Sequence, residues 1–429
     1  MHRRKFLRNT AAGLGGIVAA GKPARVAAET SASADETASA PGKSGLTFST
    51  GFEGGSLGKI IRVTDTYTRC ILLGEVDQFG RNRQISWYYF RIDNAPDSEL
   101  TIDFTDIVGE YNFRPGAQAI TPDTPPVYSY DNHHWTHVSK KNWTALASSM
   151  RLRIRPTERR LWIAHVPPYT NRNLARLLES IKRSPELRYE VIGKSVQGRD
   201  IPLLTITDPG RGKQQKKVVW LMFRQHSWEG GSSWVSEGAI RFLLSSDPAA
   251  ARIRRETVFK ILPMQDPDGV FRGGVRYNAY GYDLNRNWDT DDPVKMPEIT
   301  AACNSIADWT NQGKRTDFFL SLHNDEENEY LSPPLSPKFS TLGQKIYDEL
   351  TRTTSFDPSR AYEASPPQAT PPAPGRMQVN EGLYSKLHIP AFLMEQRVAY
   401  SRKLGRWPTV DDRLEFGKGL VKAIRAALA

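Results

Sequence analysis

Four side chains in this sequence stand where hydrolytic chemistry would need them. His226 and Glu229 lie three residues apart in Arg224-Gln225-His226-Ser227-Trp228-Glu229, so one turn of chain can aim both at a single point. His323 follows the apolar run Asp317–Leu322, and Glu395 follows Ala391–Met394. Two imidazoles and one carboxylate suit a single catalytic zinc per chain, with a fourth position left open for water and substrate. Glu395 is then placed to accept a proton from the attacking water and pass it to a leaving amine. Taken singly, each signal has a plainer reading. A His-x-x-Glu pair also describes a helix surface, and a strand-end histidine also describes a satisfied core residue. Glu395 is less ordinary, because an acid closing an apolar strand needs a partner.

The elements around these residues predict how they meet. From about residue 167 strands and helices alternate. Strands are expected at Lys217–Phe223, Val258–Leu262, Asp317–Leu322 and Ala391–Met394, and helices at 173–182, 233–244, 297–310, 341–351 and 411–428. That alternation indicates an α/β domain, with a mixed, mainly parallel sheet and flanking helices, over residues 167–429. Open sheets of this kind bind ligands at the carboxyl ends of their strands. Three strands would therefore deliver His226 with Glu229, His323 and Glu395 to one edge. Residues 355–375 carry six prolines between Pro358 and Pro374 and read as a long irregular loop.

Upstream, residues 45–166 read as a smaller all-β sandwich. Short runs such as Ile60–Val63, Ser86–Ile92, Leu100–Phe104, Met150–Ile154 and Leu161–Ala164 alternate with turn signals. Residues 1–28 combine Arg3-Arg4-Lys5-Phe6-Leu7, a weakly apolar stretch from Ala11 to Ala20 and a small-residue site at Val26-Ala27-Ala28. This resembles a twin-arginine export signal, which implies the twin-arginine export machinery as a partner and a periplasmic or extracellular destination. Residues 29–44 read as a flexible linker.

Between the first two candidate ligands and the third lies the most specific stretch, Pro263-Met264-Gln265-Asp266-Pro267-Asp268-Gly269 continuing to Gly281-Tyr282-Asp283-Leu284-Asn285-Arg286-Asn287-Trp288. Asn285 and Arg286 present amide and guanidinium donors together, and a guanidinium fork matches a carboxylate. Arg276 adds a further fixed cation. In this order, HxxE, PDG, GxDLNRNW, a strand-end His and a strand-end Glu, the sequence resembles the M14 zinc carboxypeptidases. The upstream region, through Gly51-Phe52-Glu53-Gly54-Gly55, Trp87–Ile92 and Pro167-Pro168-Tyr169-Thr170, is similar to the N-terminal domain of the cytosolic carboxypeptidase subfamily.

The resemblance implies roles. His226, Glu229 and His323 ligate zinc; Glu395 is general base and then acid; Arg276 stabilises the oxyanion. Asn285 and Arg286 grip the substrate's terminal carboxylate. Asp283 accepts a hydrogen bond from His226 and fixes its tautomer. Arg376, in a Gly-Arg context before the Glu395 strand, is expected to favour acidic C-terminal side chains. Two segments depart from the family pattern. Leu322-His323-Asn324-Asp325-Glu326-Glu327 is acidic where His-Ser-Tyr or His-Gly-His is common. The mobile tyrosine of digestive carboxypeptidases has no match in Pro374-Gly375-Arg376, leaving Tyr362 and Tyr384 as substitutes.

Composition narrows the alternatives. Net charge is +11, and residues 1–28, with six basic residues and no acid, account for enough of it to leave +5. Without a clustered basic face there is no call for nucleic acid as a partner. No apolar run is long enough to span a membrane. Cys70 and Cys303, with no CxxC pair, are expected as two lone buried thiols. The expectation is a zinc carboxypeptidase acting on peptide or protein C-termini. An exported amide hydrolase trimming peptidoglycan peptides and a binding protein with a retired site remain as alternatives. The second would show as a missing ligand or a missing Glu395, and none is missing.

Overall fold

The computed structural model describes residues 45–117, 119–210, 215–290, 292–366 and 370–429. The expected leader, 1–28, and linker, 29–44, lie outside the described residues. Among the described residues no helix is long and apolar enough to cross a membrane.

The N-terminal region is built on two five-stranded sheets. One has the order Thr47–Ser49, Tyr89–Asp93, Arg160–Ala164, Val127–Ser129, Thr136–His137; the other runs Trp143–Ala145, Ser149–Ile154, Leu100–Thr105, Tyr67–Ile71, Ile60–Arg62. Period-two alternation explains the packing. In Ser149–Ile154 the side chains of Met150, Leu152 and Ile154 are buried, while Arg151 and Arg153 face outward. Phe90, Ile92, Leu161 and Ile163 of the first sheet meet Ile102, Phe104 and Leu152 of the second in one core. The outward arginine is not merely solvated: Arg151 donates to its register partner Asp103 at 2.6 and 2.8 Å. A third sheet, Glu75–Val76, Arg83–Gln84, Gly109–Tyr111 and Arg114–Ala117, has too few residues per strand to leave a sequence pattern. The strand expected from Ser86 begins only at Tyr89, which also forms an isolated bridge with Ser56.

The C-terminal region is a seven-stranded mixed sheet in the order Leu187–Lys194, Asp200–Ile206, Thr257–Leu262, Lys217–Phe223, Phe318–Asp325, Ala391–Arg397, Tyr330–Ser332. The four strands from Thr257–Leu262 to Ala391–Arg397 are mutually parallel, and the outer pairings are antiparallel. After Lys217 this strand is apolar throughout, residues 218–223, because both of its faces are covered. Val219, Leu221 and Phe223 enter one core with helices Gly230–Leu243, Ser340–Thr353 and Val410–Ala427. Val218, Trp220 and Met222 enter another with helices Pro297–Asn311 and Val379–Leu387. Helices Gly230–Leu243 and Val410–Ala427 cross so closely that a Cβ on Gly238 would collide with the Leu414 carbonyl oxygen.

Two strands run further than their apolar runs suggest. Pairing continues through His323↔Glu395, Asn324↔Gln396 and Asp325↔Arg397, so His323 and Glu395 sit inside strands rather than beyond them. The described residues of 355–375 form no helix or strand. Neither cysteine is in a disulfide; Cys70 is buried, whereas Cys303 is half-buried.

Candidate active site

The first ligand segment is made by a kink. Arg224 takes a left-handed backbone conformation, φ 60°, as the chain leaves strand Lys217–Phe223. That is unusual for a residue with a side chain. Its fully buried guanidinium holds the turn, donating to the Ser227 carbonyl at 3.0 and 2.7 Å and to Ser233 Oγ at 2.9 Å. The turn folds back to present His226, with Glu229 immediately before helix Gly230–Leu243.

His226, Glu229 and His323 are all buried and converge, their ligand atoms within 4.8 Å of one another. Their outer nitrogens are spoken for. His226 Nε2 lies 3.0 Å from Asp283 Oδ1, and His323 Nε2 lies 2.9 Å from Gln225 Oε1. Gln225 cannot turn over, because its amide donates to the Leu284 carbonyl at 2.6 Å. A carboxylate and an amide oxygen only accept, so each ring carries its proton on Nε2 and its lone pair on Nδ1. Both Nδ1 atoms face Glu229: His226 at 2.6 Å from Oε1, His323 at 3.0 Å from Oε2. The second contact lacks hydrogen-bond alignment, and neither His323 Nδ1 nor Glu229 Oε2 has another partner. Three buried donor atoms converging in this way form a group that could hold a cation. This donor set fits zinc.

Asp283 has two tasks. Its Oδ1 meets His226, and its Oδ2 accepts from Arg276 Nε at 2.7 Å. Burial works against its charge, but Arg276 and His226 keep it well below the usual carboxylate range. Arg276, Asp283, Arg286 and Arg376 line a cleft of about 490 Å³ whose opposite wall is Asp77–Phe79, Arg81 and Tyr111 of the N-terminal region. Burial, with Arg276 and Arg376 nearby, lowers the Arg286 pKa; among the described residues its guanidinium donates only to the Asn285 carbonyl, from Nη1 at 2.7 Å. Asn285 is buried, and its Oδ1 accepts from the Val379 N–H at 3.0 Å, which leaves its amide hydrogens for a ligand. Arg376 stands at the rim, donating to Tyr111 at 3.1 Å.

Glu395 lies beside the ligands through its pairing with His323. Its Oε2 is buried without a partner. Burial pushes its carboxyl well above the usual range, and the Glu229 and Asp325 carboxylates add to the effect.

His226, Glu229 and His323 thus converge with Glu395 beside them, and Asp283 and Arg276 connect that cluster to the cleft that Arg286 and Arg376 also line, while Asn285 donates its backbone N–H to Asp283 Oδ1. Three others escaped notice. Gln225 precedes His226 and gives no signal until His323 is seen beside it. Tyr330 is brought opposite Glu395 only by strand pairing. Glu75 approaches the Arg276 loop across a separation of about 200 residues. The tyrosines suggested as substitutes lie in other packing: Tyr362 packs against the core beside Tyr347, and Tyr384 packs edge-on against Phe339 and His388.

The comparisons with known proteins agree with this arrangement. Residues 174–328 match the zinc carboxypeptidase family, M14, and residues 48–165 match the cytosolic carboxypeptidase N-terminal domain. The first match ends before the Glu395 strand. Solved structures share the fold over 89% of the chain. The metallo-carboxypeptidase of Burkholderia cenocepacia has a TM-score of 0.74 at 21% identity, with 98% of its chain covered. That of Pseudomonas aeruginosa has 0.75 at 22% identity, with 100% covered. The chain carries an M14 zinc carboxypeptidase domain, with a cytosolic carboxypeptidase N-terminal domain in front of it. Mouse cytosolic carboxypeptidase 6 is 30% identical over 308 residues, which is 66% of this chain and 54% of that protein. The chain therefore spans little more than half the length of this relative. An uncharacterised protein of Zymomonas mobilis is 28% identical over 75% of this chain and 81% of its own length.

Proposed function

We propose that this protein is a zinc-dependent carboxypeptidase that removes the C-terminal residue of peptides or proteins. The observation that carries the reading is the unpaired, buried pair of His323 Nδ1 and Glu229 Oε2, aimed at the same point as His226 Nδ1 and flanked by Glu395. His226, Glu229 and His323 would hold the zinc, which would supply Lewis acidity toward water and the carbonyl. Glu395 Oε2 takes the proton that the attacking water loses and returns it to the departing amine. Arg276, locked to Asp283, presents a preorganised cation to the carbonyl oxygen as charge builds there. The Arg286 fork and the Asn285 amide take the terminal carboxylate, which restricts cleavage to the chain end. Arg376, on the same cleft, favours an acidic departing side chain.

The test is zinc content together with peptide release. One zinc per chain, single residues released from peptides ending in Glu, Lys or Phe, and arrest by a chelator are expected. Zinc with no release would instead favour a different amide, such as a peptidoglycan peptide ending in D-Ala. Neither zinc nor release would leave a binding protein.

We also infer export through the twin-arginine pathway, supported by the sequence of residues 1–28. Replacing Arg3 and Arg4 by lysine should retain the full-length protein in the cytoplasm. Undiminished export would retire that reading.

A further inference from the structure

The loop that carries Arg276 is held from outside the catalytic region. Glu75, in the short third sheet of the N-terminal region, inserts its carboxylate beneath it and is only 13% exposed. Glu75 Oε2 accepts the backbone N–H of three successive residues: Val275 at 2.8 Å, Arg276, and Tyr277 at 3.0 Å. Its Oε1 accepts from Arg272 Nη1. Three consecutive amides converging on one oxygen form a small anion nest. Here the anion is a side chain from the preceding domain, not a ligand.

The opposite side of the loop meets the metal segment, because the Val275 carbonyl accepts from the Trp228 N–H at 3.0 Å, next to Glu229. The loop is thus clasped between Glu75 and the ligand turn. Its ends also press on the N-terminal region. Gly273 has φ 70°, and a Cβ there would come within 2.8 Å of the Gly54 carbonyl oxygen. The Gln78 N–H donates to the Gly281 carbonyl at 3.1 Å. These contacts, with the Gly54 N–H on the Phe271 carbonyl at 2.9 Å, already join the two regions. Glu75 is distinct because it bonds the backbone of Arg276 itself.

We propose that Glu75 is a positioning residue for Arg276: its carboxylate fixes the backbone from which that guanidinium reaches the scissile carbonyl. The inference rests on the reading of Arg276 as the cation that stabilises the developing oxyanion. An active-site cation misplaced by an ångström loses much of its effect. On this inference the N-terminal domain is a working part of the catalytic apparatus.

The test is a double-mutant cycle on the full, zinc-loaded protein, with kcat and KM measured separately for Glu75→Ala, Glu75→Gln, Arg276→Ala and the double variant Glu75→Ala with Arg276→Ala. Glu75→Ala is expected to lower kcat about tenfold or more while KM changes by about twofold or less. Glu75→Gln keeps an oxygen for the three amides and should recover part of the loss. In the Arg276→Ala background the Glu75 change should have no further effect, because its target is gone. A folded, zinc-loaded Glu75→Ala with full kcat would overturn the inference. So would a loss of the same size in both backgrounds, which would mark Glu75 as a structural contact only. If Glu75→Ala does not fold, Glu75→Gln carries the same cycle. Arg276→Ala at full kcat is a separate outcome: it overturns the oxyanion reading and the inference with it.

Discussion

Tyr330 and Glu395 are register partners across the antiparallel edge of the main sheet, and Glu395 is the register partner of His323 on its other side. Partners across a ladder project from the same face. A ligand imidazole, the proposed base and a phenol therefore form one row across three strands. The Arg360 guanidinium, from the proline-rich loop, lies 4.2 Å from the centre of the Tyr330 ring.

That row gives the first prediction. Tyr330→Ala removes the ring beside Glu395 and the surface on which Arg360 rests. Turnover of a peptide substrate should fall about tenfold, equivalent to ~1.4 kcal/mol on the barrier, with zinc content unchanged. Steady-state kinetics with metal analysis decides it, and a variant that lost its metal would point to a different role.

Glu395→Gln separates binding from chemistry. The amide keeps the shape but cannot take a proton, so kcat should fall by a factor of about 100 or more while zinc stays bound. Near-normal turnover would remove Glu395 from the base role.

Gln225 is predicted to control metal affinity without touching the metal. Gln225→Leu takes away the acceptor that holds the His323 Nε2–H and frees the ring to change tautomer. Zinc affinity, measured against a competing chelator, should weaken about 10- to 100-fold. An unchanged affinity would mean that Ser321 Oγ, 3.0 Å from the same nitrogen, suffices.

Acid sensitivity should trace in part to His165. This ring is fully buried between Tyr88 and Trp228, and both its nitrogens lack partners. Burial pushes its pKa down from 6.5 to about 3. Between those values the unfolded chain binds the proton and the folded one does not, so the stability present above about pH 6.5 is lost as pH falls towards 3. His165→Phe removes that linkage. Its urea midpoint should drop less than that of the parent protein between pH 7 and pH 5; equal drops would clear His165.

Much of this site can be read from sequence because its residues follow unbroken apolar runs. Lys217–Phe223 and Ala391–Met394 have no polar interruption, so the first polar residues after them stand out. What escapes is of another kind. The hairpin Leu187–Lys194 with Asp200–Ile206 escapes because its first strand, at the sheet's edge, is half exposed and carries no continuous apolar run. Helix Val379–Leu387 is short, and no helix-length apolar stripe announces it. Strand Tyr330–Ser332 has three residues and exists through its pairing with Glu395, Met394 and Leu393. Glu75 resembles any surface acid until the Arg276 loop lies over it. Local pattern reveals what the chain does with its neighbours in sequence, and these residues work through distant ones.

The bridge made by Asp283 has a further consequence. One of its oxygens meets His226, a proposed metal ligand, and the other meets Arg276, the proposed cation at the carbonyl. Any replacement at 283 is felt twice, once as a loosened metal and once as a wandering guanidinium. In a saturation scan this position would rank among the harshest in the protein, although nothing in its proposed role requires it to meet the peptide.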